Sequence, residues 1–195
     1  MNKNSKLWYD LGGKWSDKYW NHNQLRGKQL VDYFKDRGVK SFLEIGCNSG
    51  RNLWYLSEHL PDKELSGLEI SPKAAADARI HVPKATIYEG DVHDVMLTNK
   101  YDVVYTGGVL LHIEPELVSK VISKMISFSN KYVVHMEPIG KDIVEHGPKE
   151  YKPLKVQGKL RCLHDLERIY RSLGYTVANK KNYLDSKEAF IVLEQ

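Results

Sequence analysis

Glu44 stands just before an abrupt change of pattern. The stretch FLEIGCNSGRNL, Phe42 to Leu53, is an apolar run that stops at Gly46-Cys47-Asn48-Ser49-Gly50, and a helical pattern starts straight afterwards. Small residues let a backbone approach a ligand closely. A helix N-terminus aims unpaired N–H groups and a positive dipole end at that ligand. Further on, Glu69 and Asp91 each end a short apolar segment. His112, His135 and Glu137 are candidates for a general base, since a histidine or carboxylate can take a proton from a nucleophile. His135 and Glu137 are two apart in NKYVVHME, so on a strand they face the same side, near its carboxyl end. Each also has a plainer reading: His135 as a buried, hydrogen-bonded histidine, His112 as a structural one, Glu44 as a carboxylate capping the helix, Glu69 as a surface residue, and Asp91 as an N-cap.

The elements that must position these residues alternate. VKSFLEI, KELSGLEI, ATIYEG, KYDVVYTGG and NKYVVHME read as strands. RNLWYLSEHL, SPKAAADARIH, PELVSKVISKMISF and CLHDLERIYRSLGY read as helices. Ser71-Pro72 suits a helix start, with Ser as N-cap and Pro in the first helical position, and Gly174 suits a stop. QLRGKQLVDYFK near the start carries a helical stripe. TVANKKNYL and KEAFIVLEQ read as a closing pair of strands. The expectation is an α/β, Rossmann-like doubly wound sheet, mostly parallel with a C-terminal antiparallel hairpin. Such sheets bind ligands beyond the carboxyl ends of the strands, where Gly46, Glu69, Asp91, Thr106-Gly107 and His135–Glu137 fall.

The chain has 195 residues, a net charge of +4, 42% hydrophobic and 28% charged residues. These figures fit one ordinary globular domain over residues 1–195. No apolar run reaches the roughly 18 residues needed to span a bilayer, and the start lacks the apolar core of a secretory signal, so a cytoplasmic protein without membrane insertion is expected. Cys47 and Cys162 lie outside any metal-ligand spacing, so no metal is expected. Residues 1–37 are rich in aromatic side chains and read as an N-terminal cap or lid. The segment 138–161 has three prolines, and from Lys141 to Arg161 six Lys or Arg stand against three Asp or Glu. It reads as an insertion near an acceptor site, either a lid that favours carboxylate or phosphate groups or a plain solvated loop.

Two ligand classes fit the turn at Gly46–Gly50: a nicotinamide dinucleotide or S-adenosylmethionine (SAM). The dinucleotide fingerprint G-x-G-x-x-G places its second glycine where this chain has Asn48 and its third where Arg51 stands. That departure counts against a pyrophosphate.

LEIGCNSG resembles motif I of the class I SAM-dependent methyltransferases, with Asn in the middle glycine position. GLEIS, EGDVHD and YDVVYTGGVLLHI resemble the family's next three motifs, in order and at suitable spacing. The resemblance covers about residues 40–137 and the terminal helix and hairpin. It implies that Glu44 holds the turn or the SAM amine, that Gly46, Cys47, Asn48 and Asn52 line the cofactor, and that Glu69 accepts from the ribose hydroxyls with Ile70 beside it. It further implies that Asp91 and Val92 meet the adenine, and that the chain passes the methionine part at Thr106 and Gly107. No chemistry is expected of the Cys47 thiol. Aromatic rings attract a sulfonium, so Trp8, Tyr9, Trp15, Tyr19 and Trp20 suit the lid, with Tyr19 in direct contact. GVLLHI and KYVVHMEP resemble the methyltransferases found with surface-sugar (pseudaminic acid) biosynthesis.

The implied activity is methyl transfer from SAM, leaving S-adenosylhomocysteine, to an O or N atom of a small molecule such as a sugar or carboxylate metabolite. TGGV stands where base-amino methyltransferases carry (D/N)PP(Y/F), and no Pro-Cys nucleophile is present, which argues against nucleic acid. The competing readings are a non-catalytic SAM-binding or partner-binding protein and a dinucleotide oxidoreductase. The oligomeric state is not legible.

Overall fold

The computed structural model describes residues 5–10, 20, 24–138, 154–156, 159–183 and 188–195. Tyr19, Trp15 and most of segment 138–161 lie outside the described residues.

A short helical stretch at residues 5–10 precedes α1 (Leu25–Phe34). Then follow β1 (Ser41–Ile45), α2 (Arg51–His59), β2 (Glu64–Glu69), α3 (Pro72–His81), β3 (Thr86–Glu89) and β4 (Tyr101–Gly107). A 3-10 turn (Leu110–His112) leads to α4 (Pro115–Phe128) and β5 (Ser129–Pro138). The remainder is β6 (Leu154–Val156), β7 (Lys159–Arg161), α5 (Leu166–Ser172), β8 (Val177–Tyr183) and β9 (Glu188–Glu194).

Seven strands form one sheet in the order β3-β2-β1-β4-β5-β9-β8. The first five pair in parallel, and β9 runs antiparallel to both β5 and β8. This is the expected mixed, doubly wound sheet, mostly parallel and closed by an antiparallel hairpin. β6 and β7 form a separate two-stranded ribbon.

The period of two sorts the buried side chains to two faces. Phe42, Val103, Tyr105, Val134 and Met136 meet Leu30 and Phe34 of α1, Leu53 and Leu56 of α2, and the alanines of α3. Leu43, Ile45, Val104 and Val133 meet Val118, Val121, Ile122 and Met125 of α4 and Tyr170 of α5. β1 and β4 lie mid-sheet and are buried almost throughout, so the strand ends that carry the candidate residues are fixed by packing from both sides.

One helix is shorter than the pattern. The helix expected over 162–175 is only Leu166–Ser172, because the Asp165 side chain accepts from the Arg168 N–H at 3.1 Å and caps it. The residues before it serve another part of the chain: the Cys162 N–H donates to the Leu111 carbonyl at 2.7 Å. Ser71 holds the N-cap position of α3 with Pro72 inside it, but its side chain makes no capping bond. The two outer strands are β3, of four residues, and β8, whose Ala178–Lys181 side chains are exposed. Among the described residues no helix is long and apolar enough to cross a membrane.

Gly67, mid-strand in β2, is where β2 meets the turn after β1. A Cβ there would lie 2.6 Å from Cys47 Sγ and 2.9 Å from Leu53 Cδ1. Gly67→Ala is therefore expected to destabilise the fold by about 1–3 kcal/mol, the usual cost of overpacking. Urea unfolding with an unchanged midpoint would show that the neighbours yield freely.

Candidate functional site

A cleft of about 350 Å³ opens beyond the carboxyl ends of β1, β2 and β4. Its floor is the turn after β1. Gly46, Asn48 and Gly50 have φ of 72°, 49° and 82°. Asn is among the few residues other than glycine that enter this left-handed region readily. Asn48 thus stands in a glycine-like position without strain unusual for its type. Its side-chain oxygen accepts the Ser49 N–H at 2.8 Å. The turn is tied to β2 because the Leu68 carbonyl accepts both the Gly46 N–H (2.7 Å) and the Cys47 N–H (3.1 Å).

Three carboxylates stand around this floor. Glu44, 2% exposed, accepts from Asn52 Nδ2 at 2.6 Å and from the Tyr105 hydroxyl at 3.1 Å. Burial pushes its pKa up to about 7, opposed by those two hydrogen bonds and by Arg51 and Arg26. Glu69 is buried at the end of β2, where Oε2 accepts the Asn48 N–H (2.8 Å) and Oε1 the Ser71 N–H (2.9 Å). Burial raises its pKa against these bonds. Asp91 Oδ1 accepts the His93 N–H at 3.0 Å and lies 2.6 Å from His93 Nδ1. Burial pushes Asp91 up, but the hydrogen bonds from His93 and Ser5 outweigh it and bring the carboxyl down to about 2. Asp91 also begins a turn in which its carbonyl accepts the Asp94 and Val95 N–H groups.

Gly46, Cys47, Asn48, Asn52, Glu44, Glu69, Ile70, Asp91, Val92 and Gly107 all line the cleft, as expected. Cys47 is buried, and burial beside Glu69 and Glu44 pushes its thiol pKa well up, so it stays a neutral backbone donor. Thr106 departs from the expectation. Its side chain is fully buried and turned away from the cleft, 2.8 Å from His135 Nδ1.

The three candidate bases separate. His112 lines the cleft, with the Trp8 ring tilted against it at 4.3 Å between centroids. His135 and Glu137 share one face of β5 as the period requires, but that face is covered and neither lines the cleft. His135 is fully buried between Thr106 and Tyr170, and burial lowers its pKa to about 3. It is a neutral core histidine, which corrects its reading as a base. Glu137 is 5% exposed, and its Oε1 accepts the Val109 N–H at 3.0 Å and the Leu110 N–H at 3.2 Å. It clamps the loop after β4. The 3-10 turn folds back over the strand end, which is why a position at the carboxyl end of β5 is not an open one.

Arg26 was not legible from motif spacing. It reaches from α1 into the cleft and donates to the Gly107 carbonyl at 2.8 Å. A Cβ at Gly108 would lie 2.8 Å from one of its guanidinium nitrogens, so the paired glycines after β4 leave room for it. Arg51, at the start of α2, and Glu114, before α4, also line the cleft. The helical stripe located α1; nothing in the stripe marked its arginine as facing a site.

Residues 43–128 match the family described as a methyltransferase domain. The chain is 30% identical over 110 residues to the dTDP-3-amino-3,4,6-trideoxy-alpha-D-glucopyranose N,N-dimethyltransferase of Streptomyces venezuelae, covering 55% of this chain and 42% of that protein. It is 26% identical over 87 residues to a trans-aconitate 2-methyltransferase of Yersinia pseudotuberculosis, covering 42% of this chain and 34% of the other. The matched stretches thus span about two fifths of these relatives or less. Among solved structures, the magnesium protoporphyrin IX methyltransferase of Synechocystis with bound SAM superposes with a TM-score of 0.74 at 16% identity, over 100% of this chain and 97% of that one.

The Glu44 carboxyl gives a pH signature. Its native pKa of about 7 lies above the ordinary 4.5, so the folded chain binds the proton more tightly than the unfolded one. Its contribution to stability therefore falls as pH rises from about 4.5 through 7, on the order of 3 kcal/mol in all. Urea unfolding of wild type and Glu44→Gln at pH 5 and pH 8 should show wild type losing ground to the variant at the higher pH. A constant difference would mean Glu44 is already ionised at pH 5.

Proposed function

We propose that this chain, with a methyltransferase domain over residues 43–128 and the class I fold, transfers the methyl group of SAM to an oxygen or nitrogen of a small molecule. The observation that carries the reading is the carboxylate set around the left-handed turn. Glu69 is held by two backbone N–H groups. Each carboxylate oxygen has a second lone pair, so it can still accept from the two ribose hydroxyls. Asp91, with Val92 beside it, meets the adenine amino group from the next strand end. Glu44, oriented by Asn52 and Tyr105, accepts from the amino group of the methionine part, and the Arg26 guanidinium suits its carboxylate. The residues present fit the cofactor.

SAM supplies an electrophilic methyl group on a sulfonium. The protein's own work is then alignment of the acceptor, which is mostly proximity and orientation. His112 lines the cleft, and in this reading it takes the acceptor's proton. Trp8 packs against it. The basic composition of segment 138–161 suits a carboxylate- or phosphate-bearing acceptor. The relatives' named substrates, an amino sugar and a tricarboxylate, support a polar small acceptor over nucleic acid. The whole chain works as one domain, in the cytoplasm.

Calorimetric titration with SAM, S-adenosylhomocysteine and NADH tests the reading. Micromolar binding of the first two and none of NADH is expected; NADH binding alone would return the site to a dinucleotide oxidoreductase. Glu69→Ala should weaken S-adenosylhomocysteine by about tenfold to a hundredfold, as hydrogen bonds to a charged group are worth about 1.5–3 kcal/mol. Unchanged affinity would remove Glu69 from the ribose.

A further inference from the structure

His93 is not among the residues that line the cleft, yet it governs which oxygen of Asp91 a ligand can use. Its main chain is tied on both sides. The His93 N–H donates to Asp91 Oδ1 at 3.0 Å, and the His93 carbonyl accepts from Lys124 Nζ of α4 at 2.9 Å. The ring is then set with Nδ1 2.6 Å from the same Asp91 Oδ1. An ionised carboxylate only accepts, so Nδ1 carries a proton whether the ring is neutral or charged. The side chains of His93 and Asp91 are 16% and 6% exposed, so the pair is largely shut off from water.

The two oxygens of Asp91 are thereby made unequal. Oδ1 receives two donors from one residue, enough to fill its two lone pairs. Oδ2 is buried and has no hydrogen-bond partner. A buried acceptor without a donor is costly and rare, and Asp91 is part of the cleft wall, beside Val92. A donor on a molecule bound in the cleft would satisfy it. The charges around the ring favour its imidazolium form. The bond to Asp91 raises the His93 pKa, burial opposes the rise, and the charges of Asp91, Glu114 and Asp94 add to it.

We propose that His93 is a positioning residue for the base of the cofactor: it occupies Asp91 Oδ1 with two donors, leaves Oδ2 to accept from the 6-amino group of adenine, and so makes the site reject a 6-oxo purine. The inference rests on the SAM site proposed for this cleft. A 6-amino group brings N–H donors to Oδ2, whereas a 6-oxo group sets a second acceptor against it. Held by His93, the carboxylate cannot turn to take the N1–H of a 6-oxo base instead.

NMR titration of the histidine rings in the full chain tests the pair without any ligand. His93 should titrate above the ordinary 6.5, and Asp91→Asn should bring it down. The same titration point in both proteins would overturn the pairing. Calorimetry with S-adenosylhomocysteine and its 6-oxo counterpart, S-inosylhomocysteine, tests the selection. Wild type should prefer the amino form by about tenfold or more, the scale of one hydrogen bond to a charged group. His93→Ala should weaken S-adenosylhomocysteine several-fold and narrow that preference. His93→Asn should restore both, because the Asn Nδ2 can donate from the place of the imidazole Nδ1. Equal weakening of the two ligands by His93→Ala would show a merely structural role and overturn the inference, as would an Asn variant no better than the Ala one. Wild type that binds both ligands alike would refute this inference alone. Wild type that binds neither, with the Asp91-dependent titration of His93 intact, would refute the proposed function and the adenine contact with it.

Discussion

One carbonyl anchors the site. Leu68 O accepts from both Gly46 and Cys47, so the turn after β1 is bound to the end of β2 before any side chain contributes. That bond pair fixes where α2 begins and where Glu69 meets the Asn48 N–H. It also explains the bare backbone at Gly67: the turn lies so close to β2 that Cys47 occupies the space a side chain would need. The positions of Glu44 and Asn52 follow, one on each side of the turn and hydrogen-bonded to each other.

The two faces of the sheet do different work at the cleft. On the face covered by α1, α2 and α3, Glu44, Tyr105 and Asn52 make a polar group that opens into the cleft. On the face covered by α4 and α5, Thr106, His135 and Glu137 make a polar group sealed from it. Both contain carboxylates lifted by burial, yet only the first has access to a ligand. A perturbed carboxyl near a cleft is thus not evidence of contact with one; the covering element decides.

The alternation of strand and helix patterns was enough to read the sheet, its parallel half and the closing hairpin, because each element is long and periodic. Glu69 and Asp91 were legible because a strand end followed by a turn admits few positions. Thr106 and His135 were not placed correctly because a strand's period tells which residues share a face, not what covers that face. The 3-10 turn at Leu110–His112 and the Cys162–Leu111 bond, which do the covering, leave no repeat in the sequence. Arg26 was hidden for a related reason: a helical stripe identifies the residues that face the core and is silent about a long side chain that leaves the stripe to cross a strand end.

The ordering β3-β2-β1-β4-β5-β9-β8 leaves two strands with one free side each. β3 is only four residues long, and β8 carries exposed Asn179, Lys180 and Lys181, with Lys180 bound to Glu167 of α5 at 2.6 Å. Short or lysine-bearing outer strands are poor templates for the backbone of another chain. The hairpin that completes the sheet thereby also limits its growth, and crowding of many copies should not lead to fibrils seeded from its margins.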